Sequence, residues 1–321
     1  MGLNKNILRK MNKKAIIFTF MSILLVSLFS LIFLAKYDAP IDRKNELINT
    51  RVRSLNEFVE NYDIYAENIL NLVSTKAIEG LIEYIETNNT YLYNFEQDFN
   101  ECALNGTVSV GLDDCPGMEN NTLGEWLDRI EQTAEEEFFI DLEYSYDNLS
   151  INQTYYKHLD VEFDITYTIT DKYANWQATK TITTEVPITG FKDPIYVMDA
   201  RVNKTIEFNN KGNLGNNRTL IEEFINKSQY RQSSNSPSFL MRLHGNMEES
   251  EYGMFSLVSP NNFINKDNTS YVDFLFLNNI EFDCNDVYRI NGLAIPYNEV
   301  KIDTDHLRDL NINISWLSIT C

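Results

Sequence analysis

Few residues in this sequence are able to do chemistry. There are three histidines, His158, His244 and His306. "DTDH", Asp303 to His306, crowds two carboxylates and an imidazole into one turn. A metal needs a defined ligand set, and no further ligand is fixed by spacing, so a solvated turn explains the cluster equally well. "NKDNTSYVD", Asn265 to Asp273, alternates oxygen-bearing residues as a calcium loop does, but it lacks the mid-loop glycine and the closing glutamate. His244, in "RLHGNMEE", reads as a surface turn residue. No G-x-S-x-G, H-E-x-x-H, P-loop or G-x-G-x-x-G occurs. Paired carboxylates for glycoside hydrolysis require no sequence spacing, and nothing singles out a pair. The expectation is no enzyme, no cofactor and no metal.

The four cysteines are Cys102, Cys115, Cys284 and Cys321. Outside the cytoplasm an even number implies disulfides. "ECALNGTVSVGLDDCPGM" puts Cys102 and Cys115 on one short loop rich in turn residues. Of the possible connectivities, local pairing is expected: Cys102 with Cys115, and Cys284 with Cys321, which would tie down the chain end. A zinc site would need closer pairs, such as C-x-x-C, and there are none. Sequons of the form N-x-[ST] begin at Asn88, Asn105, Asn120, Asn148, Asn152, Asn203, Asn217, Asn226, Asn268 and Asn313.

These groups must be held by elements. Ala15 to Ala35 is uncharged and mostly aliphatic. Its length, about 20 residues or roughly 30 Å as helix, matches a bilayer core and exceeds a signal peptide's apolar region. It reads as a transmembrane anchor, with the lipid bilayer as partner. Lys5, Arg9, Lys10, Lys13 and Lys14 precede it, which places the N-terminus in the cytoplasm and the remainder outside the cell. The net charge of −20 argues against nucleic acid as a partner.

Beyond the anchor, Ile48, Val52, Leu55, Val59, Tyr62, Ala66, Ile69, Val73 and Ala77 recur in steps of three and four, and no proline falls between Ile41 and Asn89. That predicts a long amphipathic helix to about Ile85, with Gly80 as the point where it would break. "NTLGEWLDRIEQTAEEE" predicts a second helix opened by a capping box, Thr122 and Glu125. From Phe138 the period becomes two. Ile140, Leu142, Tyr144 and Tyr146 share a face, then Val161, Phe163, Ile165, Tyr167 and Ile169, then Trp176, Ala178, Ile182, Val186 and Ile188. This predicts an antiparallel sheet covered on one side. Asp193-Pro194 reads as an extended turn. Further on, "TLIEEFINK" reads as a helix capped by Thr219 and Glu222, "SQYRQSSNSPS" as a polar linker, and "YVDFLFL" and "ININISWLSITC" as strands.

The expected fold class is α+β: an N-terminal transmembrane helix, a long amphipathic helix and an extracellular antiparallel sheet packed on helices. The expected divisions are a basic tail (1–14), the anchor (15–35), a helical stalk (36–87), a disulfide loop plus helix (88–136) and a β-rich domain (137–321).

A basic start, an apolar helix ("KKAIIFTF"), an amphipathic continuation, a one-sided sheet and a C-terminal disulfide together resemble type IV pilin-like and pseudopilin-like proteins. With "VPITGFKDPIY", "SFLMRLHGN" and "YGMFSLV", the layout is also similar to single-anchor envelope proteins of archaea. The resemblance implies a surface protein with an outward-facing head. It puts the family's processing point at Lys14–Ala15 and its glutamate position at Thr19. The function expected is a membrane-anchored structural or adhesive protein, pilin-like or associated with a surface filament, with self-association or envelope proteins as partners. The alternatives are an anchored ligand- or partner-binding domain and, further off, a carboxylate-dependent hydrolase.

Overall fold

The computed structural model describes residues 21–27, 42–108, 113–172, 174–200, 202–212, 214–258, 269–278, 288–290, 299–312 and 314–319. The chain divides into two units, Met1–Phe58 and Val59–Cys321. In the first, residues 21–27 are helical, and helix α1 (Asp42–Asn88) begins.

The expected anchor needs correction. Among the described residues, no helix is long and apolar enough to cross a membrane. Of Ala15–Ala35 the structure describes residues 21–27, which are helical, and the rest of that span lies outside the described residues. Helix α1 has the length, with 47 residues, but it carries charges throughout, from Arg51 and Arg53 to Glu83 and Glu86. The N-terminal transmembrane helix and the single-pass membrane placement drawn from it are therefore withdrawn. The basic tail, the Lys14–Ala15 bond and Thr19, which the pilin-like resemblance singles out, lie outside the described residues.

In the second unit α1 is a core element from Val59 on. Val59, Tyr62, Ala66, Ile69, Val73 and Ala77 are buried, as their spacing requires. Beyond Leu70 the buried stripe widens to include Ser74, Ile78, Leu81, Ile82 and Ile85. Two neighbours account for this. The sheet meets one side, where Tyr62 packs edge-on against Tyr167 at 4.8 Å and Asn71 bonds Thr184 at 3.1 Å. The disulfide loop meets the other. Cys102, in α2 (Phe95–Asn105), is joined to Cys115, with Cα atoms 5.5 Å apart. Between them β1 (Thr107–Val108) pairs antiparallel with β2 (Asp113–Asp114).

The helix does not break at Gly80. A Cβ there would stand 2.4 Å from the Pro116 carbonyl oxygen and 2.9 Å from Cys115 Sγ. The glycine is a contact surface for the loop. Alanine gains about 1 kcal/mol of helix propensity, but overpacking against fixed backbone costs about 1–3 kcal/mol. Gly80→Ala is therefore expected to lower the thermal midpoint. An unchanged or higher midpoint would contradict this packing.

Helix α3 (Leu123–Phe138) opens with the capping box expected: the Glu125 amide donates to Thr122 Oγ1 at 3.4 Å and the Thr122 amide to Glu125 at 2.9 Å. It covers β3 (Asp141–Tyr155), where Tyr144 donates to the Gly124 carbonyl at 3.2 Å. Strands β3, β4 (His158–Asp171) and β5 (Ala174–Pro187) form an antiparallel sheet in that order. Along β4, Val161, Phe163, Ile165, Tyr167 and Ile169 are all at most 1% exposed. A bulge between Asp147 and Ser150, with Asn148 at φ 54°, switches the parity of β3, so that inward Leu142 gives way to inward Ile151. Trp176 departs from expectation at 48% exposed. It sits near the start of edge strand β5, before the stretch where Lys180 and Thr184 meet Asp63 and Asn71 of α1.

The rest is a six-stranded sheet, ordered β11-β9-β10-β8-β7-β6. Its strands are β6 (Tyr230–Gln232), β7 (Met254–Val258), β8 (Thr269–Val272), β9 (Tyr288–Ile290), β10 (Glu299–Lys301) and β11 (Leu317–Ile319). All neighbours are antiparallel except β8 and β10. Its core gathers Ile195, Phe224, Phe255, Leu257, Val272 and Ile302. Helix α4 (Arg218–Lys227) packs here, capped by Asn217, which accepts from the Thr219 amide, rather than by Thr219 itself. The expected linker supplies β6 and four buried serines, Ser228, Ser233, Ser236 and Ser238, ahead of α5 (Phe239–Leu243). "YVDFLFL" is not one strand: β8 ends at Val272, and α6 (Asp273–Leu277) follows. Near the chain end, Ile314–Trp316 is a 3-10 turn before β11. The fold class is α+β, with one long helix and sheets that are antiparallel apart from the β8–β10 pair.

Candidate functional site

The polar face of the three-stranded sheet carries a cleft. Alternation sends His158, Asp160, Glu162 and Asp164 outward from β4. Register places Asp160 opposite Asn152 and Glu185, Glu162 opposite Ser150 and Thr183, and Asp164 opposite Asp147 and Thr181. Over this face lies a cleft of about 710 Å³. Glu67, Asp160, Glu162 and Glu185 line it, with Asn68, Asn71, Asn152 and threonines between them, and no lysine or arginine. At one end His158 Nε2 is 3.5 Å from Asp160 and Nδ1 is 3.7 Å from Glu185. Two of these carboxylates accept hydrogen bonds, Asp160 from Thr154 at 2.5 Å and Glu162 from Ser150 at 3.3 Å, and Asp164 lies further along the same face. Asn148 and Thr181 donate to Asp164 at 2.9 and 2.6 Å and keep its carboxyl below the ordinary carboxylate range. Sequence reading passed over His158 because Glu185 joins it only through the β4–β5 register. "HLD" shows only that His158 and Asp160 share a face.

The "DTDH" residues are assembled differently from a metal site. Asp303 caps α7 (Thr304–Asp309) and accepts from the His306 amide at 2.8 Å and from the ring Nδ1 at 2.6 Å. His306 Nε2 lies 2.7 Å from Ser236 Oγ. Asp305 is exposed and faces Arg308 at 3.5 Å. Serine, histidine and aspartate thus have the connectivity of a charge relay. A nucleophile also needs room for a substrate carbonyl about 3 Å away, and Ser236 has none. It is fully buried, His306 is 2% exposed, and Phe255 and Phe274 flank the ring at 4.7 and 5.6 Å. Gly253 closes the other side, since a Cβ there would fall 1.9 Å from the Ser236 carbonyl oxygen. The trio clamps α7 to the segment before α5. Among the described residues nothing shows a catalytic function.

A second buried cluster holds charge. Arg242, Asp193 and Asp273 are each fully enclosed. Arg242 Nη1 donates to Asp193 at 2.6 Å and to Asp273 at 3.0 Å, and Tyr230 donates to Asp193 at 2.6 Å. Lys204 donates to Tyr196 at 3.0 Å and to Ser256 at 2.5 Å, and Ser256 donates to Asp273 at 3.3 Å. Its ammonium sits 4.1 and 4.2 Å from the ring centres of Tyr196 and Tyr230. Burial pushes the Lys204 pKa down to about 7, with Asp273 and Asp193 opposing. Asp193, expected in a turn, anchors this cluster.

His244 is exposed at the end of α5. Of the calcium-like run, Asn265 to Asn268 lies outside the described residues, and Thr269 to Asp273 forms β8 and the start of α6. Cys284 and Cys321 also lie outside them, as do Asn268 and Asn313. The asparagines of the other sequons, Asn88, Asn105, Asn120, Asn148, Asn152, Asn203, Asn217 and Asn226, are all exposed.

No family model, curated protein or solved structure matches the chain.

Proposed function

We propose that this is a binding protein that docks a basic partner on the acidic face of its three-stranded sheet. The observation that carries the reading is the cleft itself: four carboxylates converge there without a lysine or arginine among the lining residues. Their mutual repulsion is relieved when an opposite charge arrives, and the field of a strongly acidic chain speeds that encounter. Adhesion to a basic surface and capture of a basic segment are the same physical act at such a face.

The test is calorimetric titration of the full chain with an oligolysine peptide at low and at high salt. Binding is expected to weaken steeply with salt, since charges on an exposed face are screened beyond about 10 Å at 0.1 M ionic strength. Replacing Asp160, Glu162 and Glu185 by their amides should weaken it by about tenfold or more, which corresponds to roughly 1.4 kcal/mol. Amides at Glu135, Glu136 and Glu137 on α3 serve as the control. Equal losses from the two triple variants would reduce the effect to net charge and remove the cleft as the site.

A second reading rests on His158, Asp160 and Glu185, whose donor atoms all lie within 4.8 Å of one another. One imidazole and two carboxylates suit a divalent ion such as zinc. Zinc titration followed on the His158 ring resonances decides it, and unmoved resonances end that reading.

A further inference from the structure

A second pocket, of about 560 Å³, has the opposite sign from its surroundings. The chain holds 47 acidic and 27 basic residues, yet this pocket is lined by Lys157, Lys211 and Arg231 against one acid, Asp309. Lys211 is already paired with Glu223. The other two cations donate to neutral acceptors: Lys157 to the Asn210 side-chain oxygen at 2.6 Å and Arg231 to the Gly212 carbonyl at 3.1 Å. Neither has a carboxylate within ion-pair distance among the described residues. Arg231 is half-buried, and burial holds its pKa below the usual arginine range. A desolvated guanidinium with unspent donors is costly until an anion fills its fork.

Two further features narrow the ligand. Asp309 lines the pocket, and its buried Oδ2 has no hydrogen-bond partner, so the carboxyl has accepting capacity left for a donor. Tyr156 forms one wall, held edge-on against Phe208 at 5.3 Å, with the Lys157 ammonium 5.2 Å above its ring. Amide and hydroxyl side chains complete the lining. An anion, several hydroxyl donors and a ring face to lie on an aromatic wall are combined in a sugar acid.

We infer that this pocket binds an acidic saccharide, with its carboxylate on Arg231 and Lys157, a hydroxyl donating to Asp309 and its ring against Tyr156. This site is separate from the acidic cleft and does not depend on the partner proposed there.

The experiment is titration of the full chain with glucuronate, glucose and inorganic phosphate, followed by calorimetry and by tyrosine fluorescence. Glucuronate should bind and glucose should not. Phosphate should bind at least about tenfold more weakly than glucuronate, because it leaves Asp309 and Tyr156 unused. Arg231→Gln and Lys157→Gln should each weaken glucuronate by about tenfold or more, the scale of a charge-assisted hydrogen bond. The Lys157 hydrogen bond to Asn210 is exposed, so its substitution should shift the melting curve little, and it keeps the test valid if Arg231→Gln folds poorly. Three outcomes overturn the inference: no binding of glucuronate, equal binding of phosphate or glucose, or glucuronate binding that survives Lys157→Gln.

Discussion

Arg242→Leu is expected to cost about 3–5 kcal/mol of stability, the range measured when one partner of a buried ion pair is removed. That is a large share of the roughly 5–15 kcal/mol that holds a typical domain together. The arginine is fully enclosed, and its Nη1 serves Asp193 at 2.6 Å and Asp273 at 3.0 Å. Leucine fills much of the space but leaves two buried carboxylates that keep the Tyr230 and Ser256 hydroxyls and lose the cation that bonds them both. The loss is therefore electrostatic, and a second variant can show it. Adding Asp193→Asn and Asp273→Asn to Arg242→Leu removes the stranded charges and should restore part of the lost stability. In an additive scheme the three changes would sum to a still greater loss. The cluster is incompletely satisfied even in the native protein, since Arg242 Nε and Asp273 Oδ1 have no hydrogen-bond partner. That makes its neutral replacement less costly than the single break. Urea unfolding at neutral pH measures both. A loss under about 1 kcal/mol for Arg242→Leu, below the range for buried pairs, would mean that the cluster carries little of the fold's stability.

How much of this was legible in the sequence follows from the range over which each signal acts. The stripe from Val59 to Ala77 and the alternation from Val161 to Ile169 are local periodicities long enough to declare an element. The Thr122–Glu125 box and the Cys102–Cys115 loop are local too. The six-stranded sheet was not legible, because most of its strands have three to five residues. A period of two is not established over so few positions, and the parallel pairing of β8 with β10 joins segments about thirty positions apart. "SQYRQSSNSPS" has the composition of a linker, yet Ser236 is buried because His306, 70 positions later, bonds its hydroxyl. In "YVDFLFL" almost every position is apolar, so no period separates strand from helix. The boundary falls at Asp273, which Arg242 holds from another element. The acidic cleft was half legible: alternation put His158, Asp160 and Glu162 on one face, but only the register added Glu185.

Between about pH 7 and pH 10 the protein is expected to become more stable as pH rises, and Lys204 is the cause. Its folded pKa is lowered from 10.5 to about 7, first by burial, with Asp273 and Asp193 pulling it back up. In that window the unfolded chain keeps the lysine proton while the folded chain gives it up. The unfolded state therefore binds more protons, and stability must climb with pH. A full proton of difference sets the slope at no more than about 1.4 kcal/mol per pH unit. Below about 7 both states are protonated, and the penalty for the enclosed ammonium is constant. The rise also has an upper limit. Tyr196 and Tyr230 are buried and their phenols are pushed well above the ordinary 10.0, so above that value the unfolded chain loses phenolic protons that the folded chain retains. Stability then falls again, giving a maximum near the point where the two effects cross. Chemical unfolding across this range, in native protein and in Lys204→Met, isolates the lysine: the variant should lose the ascending limb and keep the descending one. An ascending limb that persists in Lys204→Met would assign the proton to another group. A flat profile in the native protein would mean that the ammonium between Tyr196 and Tyr230 is far better solvated than its position implies.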